Sequence, residues 1–448
     1  MSRFYSALVI MLLAATAKAQ QPTPLSLDAC IDYALKHSYT IKNAQLDVLI
    51  QQAQVDQTKA AAYPHINGKV DFNDFNIPQR SFVDASSFAP PGTIPPGTIT
   101  PIAFTLPYAA SANITTSQLI FDGSVLVALQ ARKTVMELAR QNSKVTEENL
   151  RYNIFKAYNS LVVVYRQLDI LRSSLAIARS LEHDIIVTRD NGMAEKIEVE
   201  RTSVQVNNLA TDSIRISNGL TLAEQVLKYQ MGMDINAPIV LTDTVIDSHK
   251  MSAIKLLGND ENYERVPEYG LATIGLQLNE YNLKRYRLSA LPSLSGFWSY
   301  GSNYGSIYAR DLFSFDKYWS SSTLGLSLNV PIFNGFIRVN QVKEAQLNVE
   351  KSRNNIENAK QAIDFQTASA RTSLKNALLQ VQSRERNIEL SNDVLDLAQK
   401  KYKAGVGSNL EVTQAQNDQL QTMNTYFSSL LDVMNSEADL RKALGLLK

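Results

Sequence analysis

Between residues 322 and 333 the chain alternates. In "STLGLSLNVPIF", Leu324, Leu326, Leu328 and Val330 fall on one side, while Gly325, Ser327 and Asn329 fall on the other. A period of two predicts a strand with one apolar face and one small or polar face. The preceding segment predicts a partner strand, with Leu294, Gly296, Trp298 and Tyr300 on one face. Beyond residue 335 the period changes to seven. Val342, Val349, Ile356, Ile363, Ala370 and Ala377 form one series, and Leu374, Val381, Ile388, Leu395 and Tyr402 form a second. Period seven denotes coiled-coil packing, and two seams let one helix pack neighbours on both sides. That helix, about 336–402, is roughly 100 Å long at 1.5 Å per residue. The switch of period falls at "PIFNG", residues 331–335, and an equivalent "LIFDG" occupies 119–123. Asn or Asp caps the orphan N–H groups of a helix, and Gly is expected to supply a positive φ. Both pentapeptides therefore predict a strand-to-helix corner, at Gly123 and at Gly335.

The corner is not the only feature that recurs. Gly192 and Gly405, Glu198 and Glu411, Val199 and Val412, Leu227 and Leu440, and Gly232 and Gly445 are all separated by 213 residues. Gly123 and Gly335 differ by 212; Pro64 and Pro292, like Gly68 and Gly296, differ by 228. The change of offset predicts an insertion between Pro64 and Phe121, where "APPGTIPPGTITP" stands. The chain reads as two tandem copies of helix, strand, loop, strand, long helix, turn, helix. The first helix of each copy (about 35–62 and 268–290) stops before Pro64 or Pro292, which cannot continue it. The expected division is a signal peptide over 1–19, a first repeat over 20–232, a linker over 233–262 and a second repeat over 263–448. The Pro-rich segment 90–101 is expected to be a surface loop, because its backbone lacks donors for sheet pairing.

Composition narrows the class. Formal charge is +1 over 448 residues, with both signs well mixed, so nothing suggests a nucleic-acid partner. Arg3, an apolar run from Ala7 to Ala15 and Ala17-Lys18-Ala19 predict an export signal. Cys30 is the only cysteine, which excludes an intrachain disulfide. Beyond the signal no run of 18 uncharged apolar residues predicts a membrane helix. Apolar-outside, polar-inside alternation is instead what a water-filled barrel in lipid requires. Trp298, Tyr300, Tyr318 and Trp319 suit an aromatic girdle at the membrane surface. Four strands cannot close a barrel, for which about eight is the minimum. An open edge in lipid would cost several kcal/mol per unsatisfied backbone group. The barrel must therefore be shared among chains, and three copies would give twelve strands. Catalysis finds no support: His37, His65, His183 and His249 are scattered, and no P-loop, G-x-S-x-G or G-x-G-x-x-G occurs. No enzyme activity, metal or cofactor is expected.

"LPSLSG", "PIFNG", "KKYKAGVGSNLEVTQAQ" and the terminal "ALG", taken with their repetition, resemble the TolC-like outer-membrane efflux family over nearly the whole mature chain. The resemblance implies a mainly α chain contributing four strands to a trimeric, 12-stranded outer-membrane β-barrel, continued by a periplasmic α-helical barrel. It implies an exit duct in the outer membrane, working with a periplasmic membrane-fusion adaptor and an inner-membrane pump of RND or ABC type. By that resemblance Gly192, Met193, Gly405 and Val406 form the tip turns where an adaptor docks. Tyr402, Glu198 and Glu411 lie at the narrow periplasmic opening. Gln414 stands where the family has a second acid, and Gly407 where it has a basic residue. Ser408-Asn409-Leu410-Glu411 also fits a capping box, and Tyr402 also continues a heptad series, so gate and structural readings compete there. The competing function is a periplasmic coiled-coil scaffold without a barrel, which would have no use for lipid-facing strands.

Overall fold

The computed structural model describes residues 23–242 and 247–447; the expected signal peptide lies outside them. In chain order the elements are β1 (Thr23–Leu25), α1 (Leu27–His37), α2 (Tyr39–Ala60), β2 (His65–Asp74), β3 (Arg80–Asp84), β4 (Ile99–Ala103), β5 (Tyr108–Phe121) and α3 (Gly123–Asp190). They continue as α4 (Lys196–Met231), β6 (Ile239–Leu241), α5 (Asp247–Leu256), α6 (Pro267–Leu288), β7 (Ser293–Ser306), β8 (Trp319–Asn329), α7 (Ile337–Lys403) and α8 (Asn409–Ala443). The chain divides into two compact units, each drawing on both halves of the sequence. One comprises residues up to Ile50 with Glu137–Gly275 and Arg353–Lys448, and the other Gln51–Met136 with Leu276–Ser352.

The second unit is built on a four-stranded antiparallel sheet in the order β2-β5-β7-β8. Its register sorts the side chains, because directly paired residues share a face. Ile66, Val70 and Phe72 on β2, Ile114 on β5, Trp298 and Tyr300 on β7, and Leu324, Leu326 and Leu328 on β8 lie on one face. All of these stand exposed. Asn67, Lys69 and Asp71 on β2, Ser111, Asn113 and Thr115 on β5, Ser295 and Ser299 on β7, and Thr323, Ser327 and Asn329 on β8 lie on the other. There Lys69 and Asp71 pair at 3.0 Å. An exposed apolar face opposite a polar one is not how a sheet packs in water. Of the four aromatic residues expected in one girdle, Trp298 and Tyr300 share the apolar face, and Tyr318 packs on Tyr304 of that face at 5.5 Å. Trp319 does not: it pairs with Asn303 and falls on the polar side, because strand parity places it opposite Leu324.

Two expectations need correction. Beyond the four strands of this sheet, four more are present among the described residues. β1 pairs with β6 in parallel, and β3 pairs with β4. The Pro-rich segment is therefore not wholly loop. Ile99–Ala103 forms a ladder with Arg80–Asp84, with Pro101 opposite Phe82, and only the "PPGTIPPG" tip is irregular. One proline is tolerated because each strand of a two-stranded ribbon is an edge. Finally, the first helix begins at Leu27, capped by Ser26 accepting from the Ala29 N–H at 3.1 Å, and breaks at Ser38. Ser38 is extended (φ −58°, ψ 132°), and the break lies against Gly232, where a Cβ would stand 2.8 Å from the His37 carbonyl oxygen.

The first unit is held by helix–helix seams. Val349, Ile363, Ala370, Leu374, Ala377, Val381 and Leu395 of the predicted heptads are buried; all of these but Val349 belong to this unit. The unit also repeats a contact. Gly232 ends α4 against His37, and Gly445 follows α8 where an added Cβ would stand 2.5 Å from the Arg265 carbonyl oxygen. His37 and Arg265 are themselves 228 residues apart, the offset of the upstream repeat.

Candidate functional site

The two turns joining long and short helices are geometric copies. Gly192 has φ 74°, its N–H donates to Arg189 O at 2.8 Å, and the Met193 N–H donates to Thr188 O at 3.0 Å. Gly405 has φ 73°, its N–H donates to Tyr402 O at 3.0 Å, and the Val406 N–H donates to Lys401 O at 3.1 Å. This pair of bonds is a Schellman cap, whose left-handed position favours Gly. Each cap leaves one apolar side chain in the open: Met193 is 76% and Val406 79% exposed. At Gly407 an added Cβ would stand 2.9 Å from the Lys401 Cβ and 3.0 Å from the Tyr402 nitrogen. The turn is folded back on its own helix end, so this backbone excludes the basic side chain that the resemblance leads one to expect.

At the second turn Ser408 is the N-cap, its Oγ accepting from the Glu411 N–H at 3.2 Å. The reciprocal bond from the Ser408 N–H to the Glu411 carboxylate is not made, so only half of the capping box forms. Glu411 and Gln414 are exposed, and Gln414 donates to Asp418 Oδ1 at 3.0 Å. At the first turn Glu195 occupies the N-cap without a side-chain bond. Glu198 is half-buried. Tyr402 packs against Leu395, Ala398, Val412 and Ala415. Burial, then the charges of Glu198 and Asp184, push its hydroxyl pKa up. Tyr402 thus packs into this cluster with Glu198 and Asp184 close enough to act on it.

Sequence reasoning missed the polar residues that join the hairpins. Asn409, 3% exposed, donates through Nδ2 to Thr202 Oγ1 at 2.9 Å and to Glu198 O at 3.4 Å. One heptad later the buried Gln416 donates to Ser174 O at 2.8 Å. Gln205 donates to Asn417 between α4 and α8. Amides at i and i+7 flanking Val412 and Ala415 were the available signal.

The two corners in the sheet-bearing unit are not copies. Asp122 Oδ1 accepts from the Ser124 and Val125 N–H groups at 2.7 and 3.2 Å. Gly123 does not take a positive φ, contrary to expectation. It is needed because a Cβ would stand 2.6 Å from Leu288 O. Gly335 does take the left-handed form, at φ 63°, and Phe336 follows at φ 65°. A non-Gly residue at positive φ costs about 1 kcal/mol or more. Pro64 and Pro292 immediately precede β2 and β7. Among the described residues no His, Cys, Asp or Glu cluster could hold a metal ion, and no helix is long and apolar enough to cross a membrane.

Residues 272–446 match the outer membrane efflux protein family. The outer membrane efflux protein BepC of Brucella suis biovar 1 (strain 1330) is 23% identical over 212 residues, 47% of this chain and 45% of that protein. The chain thus spans less than half of BepC's length in that alignment. The probable outer membrane lipoprotein SilC of Salmonella typhimurium is 22% identical over 428 residues, 93% of this chain and 84% of its own length. The outer membrane protein VceC from Vibrio cholerae shares the fold with a TM-score of 0.68 and 16% identity, over 94% of this chain and 96% of VceC. Residues 272–446 thus carry the sequence pattern of the outer membrane efflux protein family, and nearly the whole chain shares the fold of VceC.

Proposed function

We propose that the chain is the outer-membrane exit duct of a tripartite efflux or type I secretion system, passive and without enzymatic activity. An inner-membrane pump would supply the energy, and a periplasmic adaptor would join pump to duct. The observation that carries this reading is the sheet: an exposed apolar face, a polar face, and two unpaired edges, β2 and β8. In an all-antiparallel order β2-β5-β7-β8 the two edges run in opposite directions. The β8 of one chain can therefore continue the antiparallel ladder with the β2 of another. Three chains give twelve strands, with apolar residues toward lipid and polar ones toward water. A periplasmic scaffold would leave the Leu324–Leu328 face without a solvent that suits it.

The two tandem repeats, 20–232 and 263–448, joined by 233–262, would each supply one strand pair and one helical hairpin. Gly192 with Met193 and Gly405 with Val406 would be the turns an adaptor reads, and their shared geometry supports equivalent roles. The Glu411 carboxylate makes no reciprocal bond to the Ser408 N–H, which leaves it free to line a constriction. Gln414 and Asp418 would extend that face, and Glu198 would act sideways on Tyr402. Purified protein in planar bilayers tests the duct reading. Discrete channels of uniform conductance are expected, whereas recovery of the native protein from soluble periplasm, with no conductance, would favour the scaffold.

A further inference from the structure

A groove of about 350 Å³ in the sheet-bearing unit lies between α2, α3 and α6, and no functional reading given above uses it. That volume is within the range of small-molecule sites. Val55, Val127 and Ala131, all buried, form its floor, and Arg132, Arg285 and Asn282 stand at its walls. None of the residues lining it is acidic. Nearby cations are satisfied within the protein: Lys59 pairs with Asp56 at 2.6 Å, and Lys284 donates to Gln130 at 2.7 Å. Among the described residues Arg132 and Arg285 have no ion-pair partner, and Arg285 lies over the Tyr286 ring, 4.9 Å from its centroid.

Two further observations separate this groove from ordinary helix surface. The strand order places α2, α3, α6 and α7 side by side, since they adjoin β2, β5, β7 and β8 respectively. The groove is centred on α3, with α2 and α6 as its walls, and no residue of α7 lines it. The arginines also do not belong to the duplicated scaffold. At the repeat offsets of 212 and 228, the counterpart of Arg132 is Glu344 and that of Arg285 is Gln57. Helix packing of this type therefore does not require a cation at either place.

We infer that the groove binds an anionic amphiphile, its apolar body on the Val55–Val127–Ala131 floor and its anionic head held by Arg132 and Arg285. Guanidinium binds carboxylate, sulfate or phosphate by charge-assisted, often bidentate hydrogen bonds. Such a ligand could come from the membrane, as an anionic phospholipid, or from the free amphiphiles that pass the protein.

The test uses the full chain in nanodiscs of zwitterionic lipid, with dodecanoate titrated by calorimetry. Saturable binding of one dodecanoate per chain is expected, with no saturable binding of dodecanol. Arg132→Gln/Arg285→Gln should weaken dodecanoate binding by about tenfold or more, as loss of charge-assisted bonds implies. Arg132→Lys/Arg285→Lys should retain most of it, with oligomeric state and conductance unchanged in both variants. Competition by phosphatidylglycerol would assign the site to membrane lipid; its failure to compete would assign it to free amphiphiles. Equal binding by the Gln variant and the natural protein, or dodecanol binding as well as dodecanoate, would overturn the proposal. Because conductance is read separately, loss of the duct function and loss of this site are distinguishable.

Discussion

Glu148 gives the sharpest link between one buried group and behaviour in solution. It lies on α3, 7% exposed, with Oε2 lacking any hydrogen bond. Burial first, and then the negative charge of Glu268, raise its carboxyl pKa from the ordinary 4.5 to about 7, with Lys442 opposing. The folded chain therefore holds a proton here that the unfolded chain releases. The associated stability is complete below about pH 4.5, is lost as pH rises toward 7, and changes no further above that. The gap between the two values corresponds to roughly 3 kcal/mol as an upper figure. Glu148→Gln replaces the acid by a neutral isostere that cannot ionise. Its helical melting midpoint in detergent, followed by circular dichroism, should match the natural protein at pH 4.5. At pH 8 it should exceed the natural protein by a few degrees, the scale set by ~3 kcal/mol in a large chain. Parallel pH profiles for the two proteins, or a variant that is less stable at pH 8, would refute the reasoning.

Other outcomes follow from the turns and the hairpin. Gly405→Val places a β-branched residue at φ 73°, at a cost of roughly 1–3 kcal/mol; native mass should show assembly intact, while a cellular efflux assay should show transport lost. Ser408→Ala should lower the melting midpoint through loss of about 1 kcal/mol of capping, whereas Glu411→Gln should leave it nearly unchanged and alter cation selectivity in planar bilayers; unaltered selectivity would remove Glu411 from the constriction. Deleting "PPGTIPPG" at the tip of the β3–β4 ribbon should leave assembly unaffected by native mass, since no strand residue of the main sheet is removed.

The parts of the fold that follow from local chemistry were legible in the sequence. Gly192, Gly405, Gly232 and Gly445 announce helix ends because their left-handed φ favours a residue without a side chain. The alternation Leu324–Leu328 and the heptads of α7 describe faces that the backbone geometry alone dictates. What escaped depends on distant partners. The role of Gly123 follows from the carbonyl of Leu288, 165 residues away, and not from its own φ. The break at Ser38 is tied to Gly232, and the β1–β6 pairing joins segments more than two hundred residues apart. Asn409 reads as an ordinary helix-start residue until Thr202 is placed beside it. That Trp319 falls on the polar side cannot be read from the sequence, because an aromatic residue beside a strand carries no parity until the register is known. At the tips, the sequence identified the turns, but only the backbone shows why Gly407 stands where a basic residue was expected.

The shared barrel is the claim on which the duct reading depends, and the mass of the native complex tests it most directly. The chain extracted in mild detergent should appear in native mass spectrometry as three copies, because β2 and β8 are left unpaired in one chain and twelve strands close the sheet. A stable monomer, with the Leu324–Leu328 face and both edges unpartnered, would contradict the account.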